Sequence, residues 1–185
     1  RSPEEIAKNA GVEFCKEDST FKIKSLDKVV ELAYPSYKSK DKLDDWYILI
    51  LLHYLDLADG TPLYHQAVHF GELKDGLIRG SRFDKTVERE FASFLSDKKD
   101  EDIINLCKSL GGEIIKSKFD LSVVFYLFPN YPVTLNIWFA DDEFGAVGSM
   151  LVDKSADNYL TIEDDVVAGE FMLRYIFERY NELYM

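Results

Sequence analysis

The feature that most constrains this chain is a change of period in its last third. Val133, Leu135, Ile137 and Phe139 alternate with Thr134, Asn136 and Trp138, and successive side chains on a strand point to opposite faces. The preceding stretch, Leu121–Phe128, is nearly all apolar, and Ala146–Val152 is a third candidate strand. Turn formers separate them: Pro129-Asn130 on one side, Ala140-Asp141-Asp142-Glu143-Phe144-Gly145 on the other. Short connections of this kind join antiparallel neighbours, so the pattern predicts a meander. Such a sheet must bury one face against something else.

The rest of the chain supplies the cover. Ser2-Pro3-Glu4-Glu5 reads as a helix start, with Ser at the cap and Pro at the first helical position, and Gly11 as its stop. Val12–Cys15, Thr20–Lys24 and Val29–Tyr34 have strand character, with Phe21 and Ile23 alternating against Lys22 and Lys24 as on a strand with one wet face. Asp44-Asp45 opens an apolar segment from Trp46 to Leu55 that reads as a central helix buried all round. Residues 61–80 carry Gly71 and Gly76, which break any long element.

Phe83, Val87, Phe91, Phe94 and Leu95 recur at helical spacing, and Asp100–Leu110 forms another helix ending at Gly111-Gly112. Thr161-Ile162-Glu163-Asp164 is a capping-box start for a long last helix whose Val167, Phe171, Ile176 and Tyr180 cover a sheet face. The expectation is a single α+β domain over residues 1–185. It combines N-terminal and C-terminal antiparallel meanders with about four to five helices.

Charge narrows the function. With 22 Lys and Arg against 34 Asp and Glu, the formal net charge is −12. Nucleic acid is excluded as a partner, because phosphate backbones are held by Lys and Arg, and an anionic membrane surface is disfavoured on the same ground. The longest apolar run, Trp46 to Leu52, is far short of the roughly 20 residues a bilayer requires. Cys15 and Cys107 form no CxxC pair, and two free thiols in a reducing cytoplasm is the plainer reading over one long-range disulfide. The chain opens on Arg1 rather than Met and shows no signal-peptide hydrophobic region, so residues are expected to have preceded it. Oligomeric state is open, since nothing localises a dimer patch.

Candidate chemistry is sparse. His65 and His69, with Glu72 beyond them, would share one face of a helix and offer two imidazoles and a carboxylate to a metal, but the glycines around them argue against a helix there. On a strand the two imidazoles would stand about 13 Å apart, too far for one ion. His53 lies on the apolar helix with Asp56 three residues on, either as a proton-transfer pair or as a hydrogen-bonded core histidine. Acids gather at Asp141-Asp142-Glu143, Asp153, Asp157 and Glu163-Asp164-Asp165, where turns and a helix N-terminus favour them without any ligand. No GxxxxGK[ST], GxGxxG, GxSxG or HExxH occurs, and no pattern names a cofactor.

Taken together, His53-Tyr54-Leu55, Ala58-Asp59-Gly60-Thr61-Pro62-Leu63, Phe70, Glu72-Leu73, Gly76 and Phe83 resemble an uncharacterised prokaryotic family, domain of unknown function 3786. So do Trp138, Asp142-Glu143-Phe144, Asp153 and Tyr159-Leu160-Thr161-Ile162-Glu163-Asp164. The resemblance spans nearly the whole chain and departs from the family pattern around Ala67-Val68-His69-Phe70-Gly71, where a Trp before the Phe and an Arg after it are expected. It implies no established activity. Family members occur largely in anaerobic bacteria and archaea, and some carry a cysteine-rich iron–sulfur segment resembling that of corrinoid iron–sulfur proteins, which does not occur within these residues. The implied setting is anaerobic metabolism, with a small molecule or an iron–sulfur or corrinoid protein as partner.

Two functional classes follow. The first is a non-enzymatic small-molecule-binding or accessory domain using the aromatic surface and the loop from Asp59 to Gly76. Its candidate ligand-binding residues are His53, Asp59, Phe70, Glu72, Asp142 and Asp164. The second is an enzyme in which folding brings His53 together with Asp59, Asp142 or Asp164 as an acid–base set.

Overall fold

Caps decide where the first helix begins and ends. In the computed structural model, which describes residues 1–185, Ser2 accepts a hydrogen bond from the Glu5 amide. Pro3 opens α1 (Pro3–Ala10), and Gly11 closes it with a left-handed φ of 67°. Three antiparallel strands follow, β1 (Glu13–Cys15), β2 (Thr20–Ser25) and β3 (Lys28–Ala33), in the order β1-β2-β3. Phe21 and Ile23 of β2 are fully buried, and Lys22 and Lys24 project from the other face.

Asp44 caps α2 (Asp45–Leu57) by accepting from the Trp46 and Tyr47 amides. All-round burial of this helix does not hold. Tyr47, Ile50, Leu51, Tyr54 and Leu55 are buried, but Trp46, Leu49 and Leu57 are exposed. The reason is coverage: α1, the last helix and Phe128 pack against α2 and leave Trp46, Leu49 and Leu57 uncovered.

Residues 61–80 hold two short pieces, β4 (Ala67–Val68) and a 3₁₀ turn at Phe70–Glu72, and then the start of α3 (Gly76–Leu95). Gly76, expected as a breaker, is instead the first residue of α3, and Gly80 lies in its second turn. Both sit against the carbonyl of Phe70, where any Cβ would collide. Glycine here permits close approach of two backbones rather than ending a helix.

After α4 (Asp100–Ser109) come β5 (Glu113–Ile114), β6 (Leu121–Phe128), β7 (Tyr131–Trp138) and β8 (Val147–Asp153). All are antiparallel, in a sheet of order β4-β8-β7-β6-β5. A 3₁₀ turn at Lys154–Asn158 leads to α5 (Ile162–Tyr184), capped by Thr161 in a reciprocal capping box with Asp164.

The expected α+β class and both meanders are present, with five helices. β4 and β5 are additions that the periodicity does not show. α3 packs on β8 and α5 packs on α3, meeting β7 where Tyr131 donates to Asp165. On the inner face of the large sheet Val123, Phe125, Val133, Leu135, Ile137, Met150 and Val152 are buried. The outer face is open at Tyr126, Trp138 and Val147, while the paired Ser122 and Asn136 on it are buried. The small sheet docks on the end of β6: the Leu26 amide donates to the Tyr126 carbonyl at 2.9 Å and Ser25 Oγ to the Leu127 carbonyl at 2.7 Å. No helix is long and apolar enough to cross a membrane.

Candidate functional site

Two regions concentrate polar chemistry. The first is the N-terminus of α5, where α2 lays His53 beside Asp164: His53 Nδ1 lies 2.7 Å from Asp164 Oδ1. The other carboxylate oxygen accepts from Thr161 Oγ1 at 2.8 Å. The Asp164 amide donates back to Thr161 Oγ1 at 3.4 Å. Both oxygens of Asp164 thus serve the helix start and its tie to α2. His53 is half-exposed rather than buried, and its expected neighbour Asp56 faces Arg1 instead at 3.6 Å. Arg1 reaches Asp56 because it also donates to the Leu55 and Ala58 carbonyls at the end of α2.

The next residue points the opposite way. Asp165 is fully buried; its Oδ1 accepts from the Tyr131 hydroxyl at 2.6 Å and its Oδ2 has no partner. Burial pushes its carboxyl up to about 8, the nearby Asp157, Asp164 and Glu163 add to that, and the Tyr131 hydrogen bond works against it. At neutral pH the group is therefore mostly a neutral acid. The acidic run Glu163-Asp164-Asp165 gave no sign of this, because neighbouring residues on a helix face different directions. The signal was present in the phase: Asp165, Ala168, Gly169, Met172 and Ile176 recur at helical spacing and all are buried.

The remaining expected site residues are dispersed. Asp59 Oδ1 accepts from the Thr61 amide at 2.8 Å in a turn. Phe70 is fully buried with its ring 4.8 Å from that of Phe83, and its amide and that of Gly71 donate to the Asp84 carboxylate. Glu72 Oε2 accepts from the His69 amide at 2.9 Å. Asp142 sits in the exposed β7–β8 turn, about 20 Å along the strands from Tyr131. Of Asp59, Asp142 and Asp164, only Asp164 touches His53. His69 lies 3.8 Å from Asp84, and His65 stands apart in a left-handed conformation, so the two imidazoles share no helix face. No group of three or more His, Cys, Asp and Glu side chains is placed to hold a metal ion. Cys15 and Cys107 are both unpaired, and burial pushes the Cys107 thiol up to about 12.

Asp153 stands both among the clustered acids and among the residues that carry the family resemblance. It is buried, and it accepts from the Tyr64 and Ser155 amides through Oδ1 and from Gln66 through Oδ2. Burial alone would raise its carboxyl, but these hydrogen bonds outweigh it and hold the group below the usual range. Asp153 pins the segment around residues 63–67 to the end of β8.

The second region is a cleft of about 590 Å³, the size of a small-molecule site. It lies between the outer face of β2 and the β5–β6 edge, lined by Lys22, Lys24, Leu26, Val29, Glu113 and Tyr126 among others. Gly111 closes one wall with φ 79°, where a Cβ would press on the Leu26 carbonyl at 2.9 Å. Lys22 stands across the ladder from Glu13 and Glu31, whereas Lys24 faces Val29. The lysines that form ion pairs lie elsewhere, Lys16 with Glu4 and Lys98 with Asp97. Sequence reasoning identified the wet face of β2 but not what it faces, because Tyr126 comes from a distant strand.

The model of the family described as domain of unknown function 3786 matches residues 2–175, and the chain belongs to that family. No curated protein and no solved structure matches the chain.

Proposed function

We propose that this member of the family is a non-enzymatic binding domain that holds a small organic anion in the cleft between β2 and the β5–β6 edge. The observation that carries the reading is Lys24: an ammonium without a carboxylate across the ladder, facing a cleft of ligand size in a chain of net charge −12. Glu13 and Glu113 also line the cleft, but the residue across the ladder from Lys24 is Val29, and a lysine beside Leu26, Val29 and Tyr126 suits a ligand with one acidic group and an apolar part. The acid–base alternative has less support, since His53 meets a carboxylate already engaged in capping α5. The family resemblance supports an accessory role in anaerobic corrinoid or iron–sulfur metabolism, and two unpaired cysteines suit a reducing cytoplasm.

The test is native mass spectrometry of the protein purified anaerobically from cells that make it. A stoichiometric small-molecule adduct that the Lys24→Glu variant loses is the expected result. A bare-chain mass, or an adduct that survives Lys24→Glu, overturns the reading.

A further inference from the structure

The cleft does not end at Tyr126. The same ring lines a second groove of about 260 Å³ on the open face of the large sheet, walled by Leu63, His65, Ile115, Val124 and Pro132. Register accounts for the alignment: Tyr126 pairs with Pro132 and Val124 with Thr134, so these side chains project from one face in adjacent rows. β5 and its continuation serve both cavities, Glu113 lining the cleft and Ile115 the groove. The far wall is fixed, because Asp153 holds the Tyr64 and Gln66 amides and β4 pairs with β8 beside it. Charge and greasiness are separated along this path. Lys24 stands at one end with Lys22, Glu13 and Glu113, Tyr126 in the middle, and at the other end Leu63, Ile115, Val124 and Pro132, with Asp153 held in its backbone hydrogen bonds.

We propose that cleft and groove are one site for an elongated organic anion. A carboxylate or phosphate head sits at Lys24, and an apolar body crosses the Tyr126 ring. The tail then lies over Val124 and Pro132 toward His65. The inference rests on the reading of the cleft as an anion site and adds the length and apolarity of what binds there. The head gains from an ammonium that has Val29, not a carboxylate, across the ladder, and the body gains by removing exposed apolar surface from water. Tyr126, more than a third exposed, offers a flat ring at the junction.

Isothermal titration of the whole chain with acetate, octanoate and dodecanoate, below micelle-forming concentrations, tests the proposal. Dodecanoate should bind at least about tenfold tighter than octanoate, because each buried methylene adds affinity. Lys24→Glu should weaken both at least about tenfold by replacing attraction with repulsion. Ile115→Glu, or Tyr126→Ala as an independent second variant, should remove the gain from lengthening the chain while leaving octanoate bound. Melting curves matching the parent establish that these surface variants fold.

Equal affinity for octanoate and dodecanoate, with Lys24→Glu still damaging, overturns the joined site and leaves the anion cleft standing. Affinity that grows with chain length but ignores Lys24→Glu overturns both, as does absence of binding by all three probes.

Discussion

The N-terminus of α5 and the β2–Tyr126 cleft teach different lessons from similar raw material. Around α5 the side chains that look most chemical already have duties within the fold. Asp164 caps the helix and receives His53, Asp165 takes the Tyr131 hydroxyl, and Asp153 ties down a neighbouring segment. In the cleft the charge carriers are ordinary surface lysines of a short strand, yet Lys24 has no carboxylate across from it. A polar group satisfied by its own chain has little left to offer a ligand, whereas one left facing a cavity does. Residue type marked the first region, and geometry marks the second.

The contrast can be broken at several strengths. Phe70→Ala should cost about 3–5 kcal/mol in denaturant unfolding, since it empties a fully buried ring site against Phe83 and α3. A loss below about 1 kcal/mol would return Phe70 to the list of ligand contacts. Asp165→Asn should stabilise the fold on the order of 2–4 kcal/mol at neutral pH. Below its ordinary 3.8 this carboxyl is protonated whether the chain is folded or not. As pH climbs from there to about 8 the unfolded chain releases the proton and the folded chain keeps it, so its contribution to stability drains away across that window. Asn keeps an acceptor for Tyr131 and carries no such slope. The parent-minus-variant difference in unfolding free energy, measured across that range, should therefore fall as pH rises. A flat difference contradicts the burial account.

Asp164→Ala should cost about 0.5–2 kcal/mol through the lost cap and leave octanoate affinity unchanged; weakened binding would move the site back to α5. Smallest of all, Lys24→Glu and Asp142→Asn should each change stability by less than about 0.5 kcal/mol in thermal melts, because both sit on the surface. Only Lys24→Glu should affect ligand binding. A large destabilisation by Lys24→Glu would show that this lysine serves the fold after all.

Most of the fold was legible because its boundaries are written in local chemistry. Ser2-Pro3 and Gly11 bracket α1, Thr161 and Asp164 start α5, and the alternation through residues 133–138 defines β7. What escaped depends on partners distant in sequence. β4 and β5 are two-residue strands that exist only because β8 and β6 offer them edges. α3 begins at a supposed breaker because the Phe70 carbonyl forbids a Cβ there. The exposure of Trp46, Leu49 and Leu57 follows from how few elements reach α2, which no periodicity encodes.

The same holds for the site. His53 and Asp164 were both singled out, but their contact joins two elements far apart in the chain. The cleft exists because two hydrogen bonds, from Leu26 to Tyr126 and from Ser25 to Leu127, dock one sheet on another. No spacing in the sequence announces that docking.

The most direct test is amide chemical-shift mapping of the whole chain titrated with octanoate. Shifts centred on Lys22, Lys24, Gly111 and Tyr126, with His53 and Asp164 silent, are predicted. Shifts centred on His53 and Asp164, or none anywhere, contradict the account.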